Sequence, residues 1–307
     1  MEIAVAPMLD LTTPEFRYFF RQMSRHTHLY TEMIPLNAIV LGDADRFLAI
    51  DDIEKDIALQ IGGSDPARMA QAVKIANRYG YDEINLNAGC PSERVAGHGD
   101  FGASLMKKPA LTCDLLKAML DNTDKTVSLK TRIAFDNGGY DEMSDYIGVC
   151  AAAGCSKFII HARNVRLNIS PKANRSEKMI LHYEMVYRLK KEFPHLKIIV
   201  NGDIKSAADI AKHGEFVDGV MIGRAAYYNP CFLADKDYAK DKIITDMIDY
   251  AERKNMRPHG VFRHMIGLFY ECRGAKTFKR LIADNSSSDA AAYRSAFHDF
   301  ISQIRGN

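Results

Sequence analysis

Apolar residues along the chain follow two alternating patterns. Short runs rich in Val, Ile and Leu alternate with stretches in which apolar positions recur at helical spacing. The short runs predict strands at Glu2–Pro7, Leu29–Met33, Asp56–Gly63, Glu83–Cys90, Thr126–Ile133, Lys157–Arg163, Lys197–Asp203 and Gly219–Ala225. Runs such as "KFIIHAR" and "KIIVNGD" are continuous and apolar between polar ends, as expected of strands buried on both faces. Between them, "TPEFRYFFRQM" places Phe16, Phe19, Phe20 and Met23 on one helical face and has Pro14 near its start. "SDPARMAQAVKIANRYG" opens with the capping residues Ser64 and Asp65 and closes at Gly80. "HYEMVYRLKKEFP" ends before Pro194.

Strands separated by helices pair in parallel, and eight such units predict a (β/α)8 TIM barrel over residues 1–235. A doubly wound sheet is the competing architecture. The strand ends favour the barrel. In order they carry Pro7 and Met8, Glu32, Gln60, Asn87 and Cys90, Lys130 and Arg132, His161 and Arg163, Asn201, then Gly223 and Arg224. A barrel gathers all of those ends on one rim, where its active site belongs. Beyond Asp237 the strand pattern stops. "ITDMIDYAERK", "VFRHMIGLFYE", "TFKRLIAD" and "AAYRSAFHDFISQI" read as helices, so a small all-helical C-terminal domain is expected over 236–307.

Composition narrows the function classes. A hydrophobic fraction of 47% with 26% charged residues is that of a soluble globular protein. No apolar run approaches the roughly 20 residues of a membrane span, and the N-terminus "MEIAVAPMLD" lacks the basic start of a signal peptide. The six cysteines include no CxxC pair, which argues against a structural zinc site. The expectation is a cytoplasmic, monomeric protein with reduced thiols, no membrane association and no metal. A net charge of +2 means that nucleic-acid binding must come from a local patch. Arg253–Arg280 supplies one, with eight lysines and arginines against the single acid Glu271. A solvated helix face and a polyanion-binding face both fit it.

Cys90 leads into a loop with Gly97, Gly99 and Gly102. These glycines spell GxGxxG, but Gly97 comes seven positions after Cys90, with Pro91 between. A dinucleotide fingerprint must follow its strand directly, so this one is set aside. The thiol itself is open to packing, metal ligation, nucleophilic attack or acid catalysis. "NGDI" (Asn201–Ile204) and "IGRA" (Ile222–Ala225) end the last two strands, where barrels commonly bind phosphate. Plain turns needing glycine at positive φ are the alternative there. Lys130, His161, Arg132, Arg163 and Gln60 would surround one pocket with donors suited to a planar heterocycle that gains negative charge.

"APMLDLTTPEFRYFFRQ", "LYTEM", "LQIGGSDP", "YDEINLNAGCPSERV", "FGASLMK", "SLKTRI", "FIIHAR", "NGDI" and "DGVMIGRAAYYNP" resemble the tRNA-dihydrouridine synthases along nearly the whole chain. "SRHTHLYTEM", "NISPKANR" and "RHMIGLFYECRGAKTFKR" look like the A-type subgroup, which acts on U20 and U20a of tRNA. The resemblance implies a flavin barrel carrying FMN, reduced by NADPH, that saturates the 5,6 double bond of uracil. By motif it implies that Pro7, Met8, Leu9, Gln60, Lys130 and His161 contact FMN. Asn201, Gly202, Asp203, Gly223 and Arg224 would hold its phosphate, and Asn87 would touch the substrate base. Cys90 would be the acid that protonates C5. Contacts to tRNA are expected from Lys276, Lys279 and Arg280 and from Lys172, Arg175 and Lys178. Their binding energy would offset the few kcal/mol needed to extrude a stacked base.

Two departures bear on this. Asp203 stands where the family commonly has a second glycine, and its side chain is expected to turn away from phosphate, toward solvent or a neighbouring cation. The loop "NVRLNISPKANR" is one residue shorter than the subgroup's usual form and lacks its glycine. Two rivals share parts of the pattern. A flavin barrel acting on a free pyrimidine would not need the basic helices, and a non-catalytic RNA-binding barrel would not need Cys90, Lys130 and His161 together.

Overall fold

The structure, a computed structural model, describes residues 1–92, 101–166, 169–170, 172–176, 179–285 and 289–305. Gly97, Gly99 and Lys178 lie outside the described residues.

Eight strands form one parallel sheet: β1 (Glu2–Val5), β2 (Leu29–Pro35), β3 (Ile57–Gly62), β4 (Glu83–Ala88), β5 (Thr126–Arg132), β6 (Lys157–His161), β7 (Lys197–Asn201) and β8 (Gly219–Ile222). Neighbours pair in sequence order from β2 to β8, and β8 pairs back with β1. A parallel bridge between Ala4 and His28 joins β1 to the start of β2. The order closes in the manner of a (β/α)8 barrel, which the doubly wound alternative cannot do. The expected strands are all present, but most run one to three residues short of the expected C-terminal ends. Cys90 therefore lies on a loop beyond β4, and Arg224 opens the short helix Arg224–Tyr228.

Two helices start where their sequences specify. Pro14 opens Pro14–Met23, where the missing N–H of proline costs nothing. The carboxylate of Asp65 accepts from the Arg68 amide ahead of Pro66–Ala76, which ends before a turn rather than at Gly80. β6 and β7, the two continuous apolar runs, are buried on both faces as expected, although burial on the inward face does not require apolar residues. Outward residues such as Ile84, Leu86, Phe158 and Ile160 join the large core shared with the helices. Ala4, Ala6, Tyr30, Ala58, Ile159, Ile199 and Met221 form a separate cluster within the barrel. The inward positions of β4, β5 and β6 are largely polar.

The C-terminal segment is helical at Lys240–Arg253, Pro258–Phe262, Ala275–Asp284 and Ala290–Arg305. It packs on the first helix, with the rings of Tyr18 and Tyr250 4.2 Å apart. The single helix expected for "VFRHMIGLFYE" is broken, continuing only as the tight turn Arg263–Met265. Gly267 follows the break. A Cβ there would lie 2.8 Å from the Tyr228 carbonyl oxygen and 2.4 Å from Pro230 Cδ, so the chain bends to let two backbones approach. His264, fully buried beside the break, bonds Thr13 Oγ1 (3.1 Å) and the Tyr227 hydroxyl (3.2 Å).

Candidate active site

A cleft of about 860 Å³ opens at the C-terminal rim of the barrel. Pro7, Met8, Leu9, Gln60, Asn87, Cys90, Lys130, His161, Asn201, Gly202, Asp203, Gly223 and Arg224 all line it. One barrel end thus gathers every residue expected at the reaction centre and the cofactor, from separate strands. Lys172, Lys276, Lys279 and Arg280 do not line this cleft; all four are exposed elsewhere. Arg175 ends the short turn Ala173–Arg175.

The Pro7–Leu9 wall follows β1 and is tied down locally. Thr12 Oγ1 accepts from the Met8 amide at 2.9 Å, and the Thr12 amide returns a bond to the Met8 carbonyl at 2.9 Å. Leu9 remains 73% exposed at the rim. Opposite, the Cys90 loop is pinned from two sides. The Asn87 carbonyl oxygen Oδ1 accepts from the amides of Gly89 (3.1 Å) and Cys90 (3.0 Å). Arg132 Nε donates to the Gly89 carbonyl at 3.0 Å. The thiol is half-buried and faces the cleft. By contrast Cys113, Cys150 and Cys155 are buried packing residues, and burial pushes the Cys155 thiol up to about 12.

Lys130 Nζ reaches into the same space and donates to Asn201 Oδ1 at 3.2 Å. Burial, reinforced by the charge of Arg132, pushes this lysine down to about 7. A site with such a lysine favours a partner that carries or gains negative charge, because that partner restores the ammonium form. Asn201 is itself oriented by Nδ2 donating to the Met221 carbonyl at 2.7 Å. His161 ends β6 beside Gly202.

The turn after β7 explains the glycine in "NGDI". Gly202 has φ +134, and a Cβ there would come within 2.8 Å of Leu181 Cδ2. Asp203 also adopts positive φ, +44, a conformation that Asp tolerates better than most residues. Its carboxylate turns to two cations, Arg163 at 2.6 Å and Arg224 at 3.2 Å. Burial raises the Asp203 carboxyl, but the hydrogen bond and charge of Arg163, with Lys205 and Arg224, hold it below the usual range. The expected turn toward a neighbouring cation is what the structure has. Gly223 differs, with φ −95, so positive φ does not account for it.

Part of the basic C-terminal run is used within the fold. Arg253 and Lys254 reach Asp51, and Arg263 donates to the Asp10 carbonyl. Lys276, Lys279 and Arg280 lie on the exposed side of Ala275–Asp284, whose Phe278 and Ile282 face the core. Among the described residues no helix is long and apolar enough to cross a membrane, and no cluster of three His, Cys, Asp or Glu residues could hold a metal.

The family model described as Dihydrouridine synthase (Dus) matches residues 4–304. The tRNA-dihydrouridine(20/20a) synthase of Escherichia coli (strain K12) is 44% identical over 304 residues, covering 94% of this chain and 87% of that protein. Its counterpart in Pasteurella multocida is 43% identical over 303 residues, covering 94% and 92%. Among solved structures, a 2-naphthoyl-CoA reductase in complex with 2-naphthoyl-CoA superposes with a TM-score of 0.58 at 10% identity, over 76% of this chain and 49% of that one. That last likeness is one of fold.

Proposed function

The chain belongs to the dihydrouridine synthase family, and on that premise we propose that it reduces the 5,6 double bond of uridine in the D-loop of tRNA, at positions 20 and 20a, with FMN as cofactor and NADPH as reductant. The observation that carries this reading is the meeting of Cys90, Lys130 and His161 in one cleft with the turns after β7 and β8.

The cleft suits FMN in size and in donors. Its volume of about 860 Å³ lies within the roughly 300–1,000 Å³ of cofactor sites. Pro7, Met8 and Leu9 offer an apolar wall for a flat ring, and Gln60, Lys130 and His161 offer donors to its edge. The backbone around Gly202 and Gly223, with Arg224, would take the phosphate. When bound and reduced, FMN supplies the hydride that adds to C6 of uracil. Cys90 then delivers the proton to C5, and Asn87 orients the base beside it. Lys130 favours negative charge in its surroundings, because such charge recovers the proton that burial disfavours.

A uridine stacked in folded RNA cannot enter this cleft, so it must be flipped out. The helical segment 236–307 serves as the tRNA-binding domain, with Lys276, Lys279 and Arg280 contacting phosphates. Lys172, Arg175 and Lys178, which follow β6 in the sequence, contribute further contacts. The protein should purify yellow and release FMN on denaturation. With NADPH it should convert tRNA lacking dihydrouridine, read by mass spectrometry as the gain of two hydrogens on each D-loop uridine reduced. A colourless protein that cannot be reconstituted with FMN would refute this function.

A further inference from the structure

A chain of buried hydrogen bonds runs along the barrel interior from the Cys90 loop toward the opposite end. The amides of Gly89 and Cys90 can only donate, and both donate to Asn87 Oδ1. Asn87 therefore presents Nδ2 to Gln60 Oε1 at 2.7 Å. Gln60 Nε2 donates to Asn85 Oδ1 at 2.7 Å, and Asn85 Nδ2 donates to Ser128 Oγ at 2.6 Å. The Ser128 hydroxyl donates in turn to Glu83. Lys157 (2.6 Å), His28 (3.1 Å) and the Tyr30 hydroxyl (2.7 Å) surround that carboxyl group. Burial raises Glu83, but His28 and Lys157 outweigh it and hold the group down at about 2. A carboxylate only accepts, so both ends of the chain impose the same direction on every amide between them.

Asn85 and Ser128 are fully buried and line no part of the cleft. Other interior positions are filled by Ala58, Ile159 and Ile199. Apolar side chains of similar volume would fill this space at little or no cost in stability. Packing alone therefore gives no reason for a continuous chain of polar side chains here, whereas orientation does.

We propose that Asn85 and Ser128 are positioning residues for the Cys90 loop, fixing the rotamer and amide orientation of Gln60 and, through it, of Asn87. Asn87 in turn holds the two amides at the base of the loop, and with them the place of the thiol. The proposal rests on the reading of Cys90 as the proton donor, and it is tested separately from the reaction.

The full-length protein and its Asn85→Leu and Ser128→Ala variants would be treated with iodoacetamide, with each cysteine followed by peptide mass spectrometry. Cys90 should react roughly fivefold faster or more in both variants, the shift expected for losing one buried hydrogen bond. Exposed Cys272 and buried Cys150 and Cys155 serve as internal controls and should keep their wild-type rates. In the FMN-loaded enzyme, kcat for dihydrouridine formation should fall by about tenfold while KM for tRNA is unchanged, as for a misplaced acid. Ser128→Ala removes one oxygen and decides the matter if Asn85→Leu does not fold. A Cys90 rate within about twofold of wild type in folded Ser128→Ala overturns the proposal. So does a parallel rise at Cys150 and Cys155, which would mean general loosening. A wild-type protein that makes no dihydrouridine would defeat the proposed reaction and leave the alkylation result standing.

Discussion

Asp203 is the residue that departs most from its motif, and its pairing sets the effect of replacing it. Asp203→Asn keeps the size of the side chain and a residue that tolerates the positive φ of +44. It removes the charge opposite Arg163, which is 1% exposed and otherwise donates to the Met179 carbonyl. Removing one partner of a buried pair costs about 3–5 kcal/mol. The Asp203 side chain is 15% exposed, and an amide oxygen can still accept from Arg163, so a loss of about 2 kcal/mol is expected. With about 2.1 cal/mol/K of unfolding entropy per residue over 307 residues, that lowers Tm by roughly 3 °C at neutral pH.

The acid limb gives a second reading of the same substitution. Arg163, Lys205 and Arg224 hold the Asp203 carboxyl below its unfolded value, against the upward push of burial. Its contribution is therefore complete above about pH 4 and is lost as pH falls through the lowered value. The wild-type and Asp203→Asn melting curves should accordingly converge in acid. FMN affinity, measured by flavin fluorescence on apo-protein, should change by less than about tenfold, or ~1.4 kcal/mol, for Asp203→Asn and for Asp203→Gly, because both carboxylate oxygens already face arginines. Equal Tm at neutral pH, or FMN binding tightened by two decades, would refute the assignment of this carboxylate to Arg163 and Arg224.

Three further outcomes are expected. Cys90→Ala should abolish dihydrouridine formation while NADPH still reduces the flavin, since only the second half-reaction needs a proton donor; stopped-flow absorbance separates the two, and equal loss of both would make Cys90 structural. Replacing Lys276, Lys279 and Arg280 with Gln should weaken tRNA binding and reduce its salt slope by roughly 0.7–0.9 per lost phosphate contact; an unchanged slope would move the footprint to Lys172, Arg175 and Lys178. Burial disfavours protonated His28, yet its hydrogen bonds to Asp56 and Glu83 raise it to about 9, so its stabilising charge is fully present below about pH 6.5 and lost on the way to pH 9. His28→Gln should flatten that alkaline loss in thermal melts, and a wild-type Tm constant from pH 6.5 to 9 would contradict it.

The strands and their reactive ends were legible because each strand carries its own local signal. The rim residues followed from topology: once eight parallel strands close, Gln60, Asn87, Lys130, His161 and Asn201 must share one end. Element boundaries were less secure. The chain leaves the ladder before the strand-like sequence ends, as at Gly202 and Asp203, which turn at positive φ just after β7, and the run of hydrophobic residues through Met265 and Phe269 hid the bend that Gly267 allows.

The interior hydrogen-bond chain had a signal that the reading of apolar runs passed over. In "EINLN" the polar residues Glu83, Asn85 and Asn87 alternate with Ile84 and Leu86, and in "SLKTR" Ser128, Lys130 and Arg132 share one parity. Period two places each set on a single face. The outward face was readable as core, and the inward face follows once the barrel closes. Which polar residue meets which was not readable, because register decides it. Asn85 lies opposite Ser128 and Gln60 opposite Asn85 only through the pairing of β3, β4 and β5, across separations of 43 and 25 residues. The Asp203–Arg163 pair is of the same kind, spanning 40 residues between two strand ends. Local pattern thus located the reacting groups, while the groups that hold them in place depend on closure of the sheet. Substitutions at Asn85 or Ser128 should therefore disturb the thiol without touching the cleft.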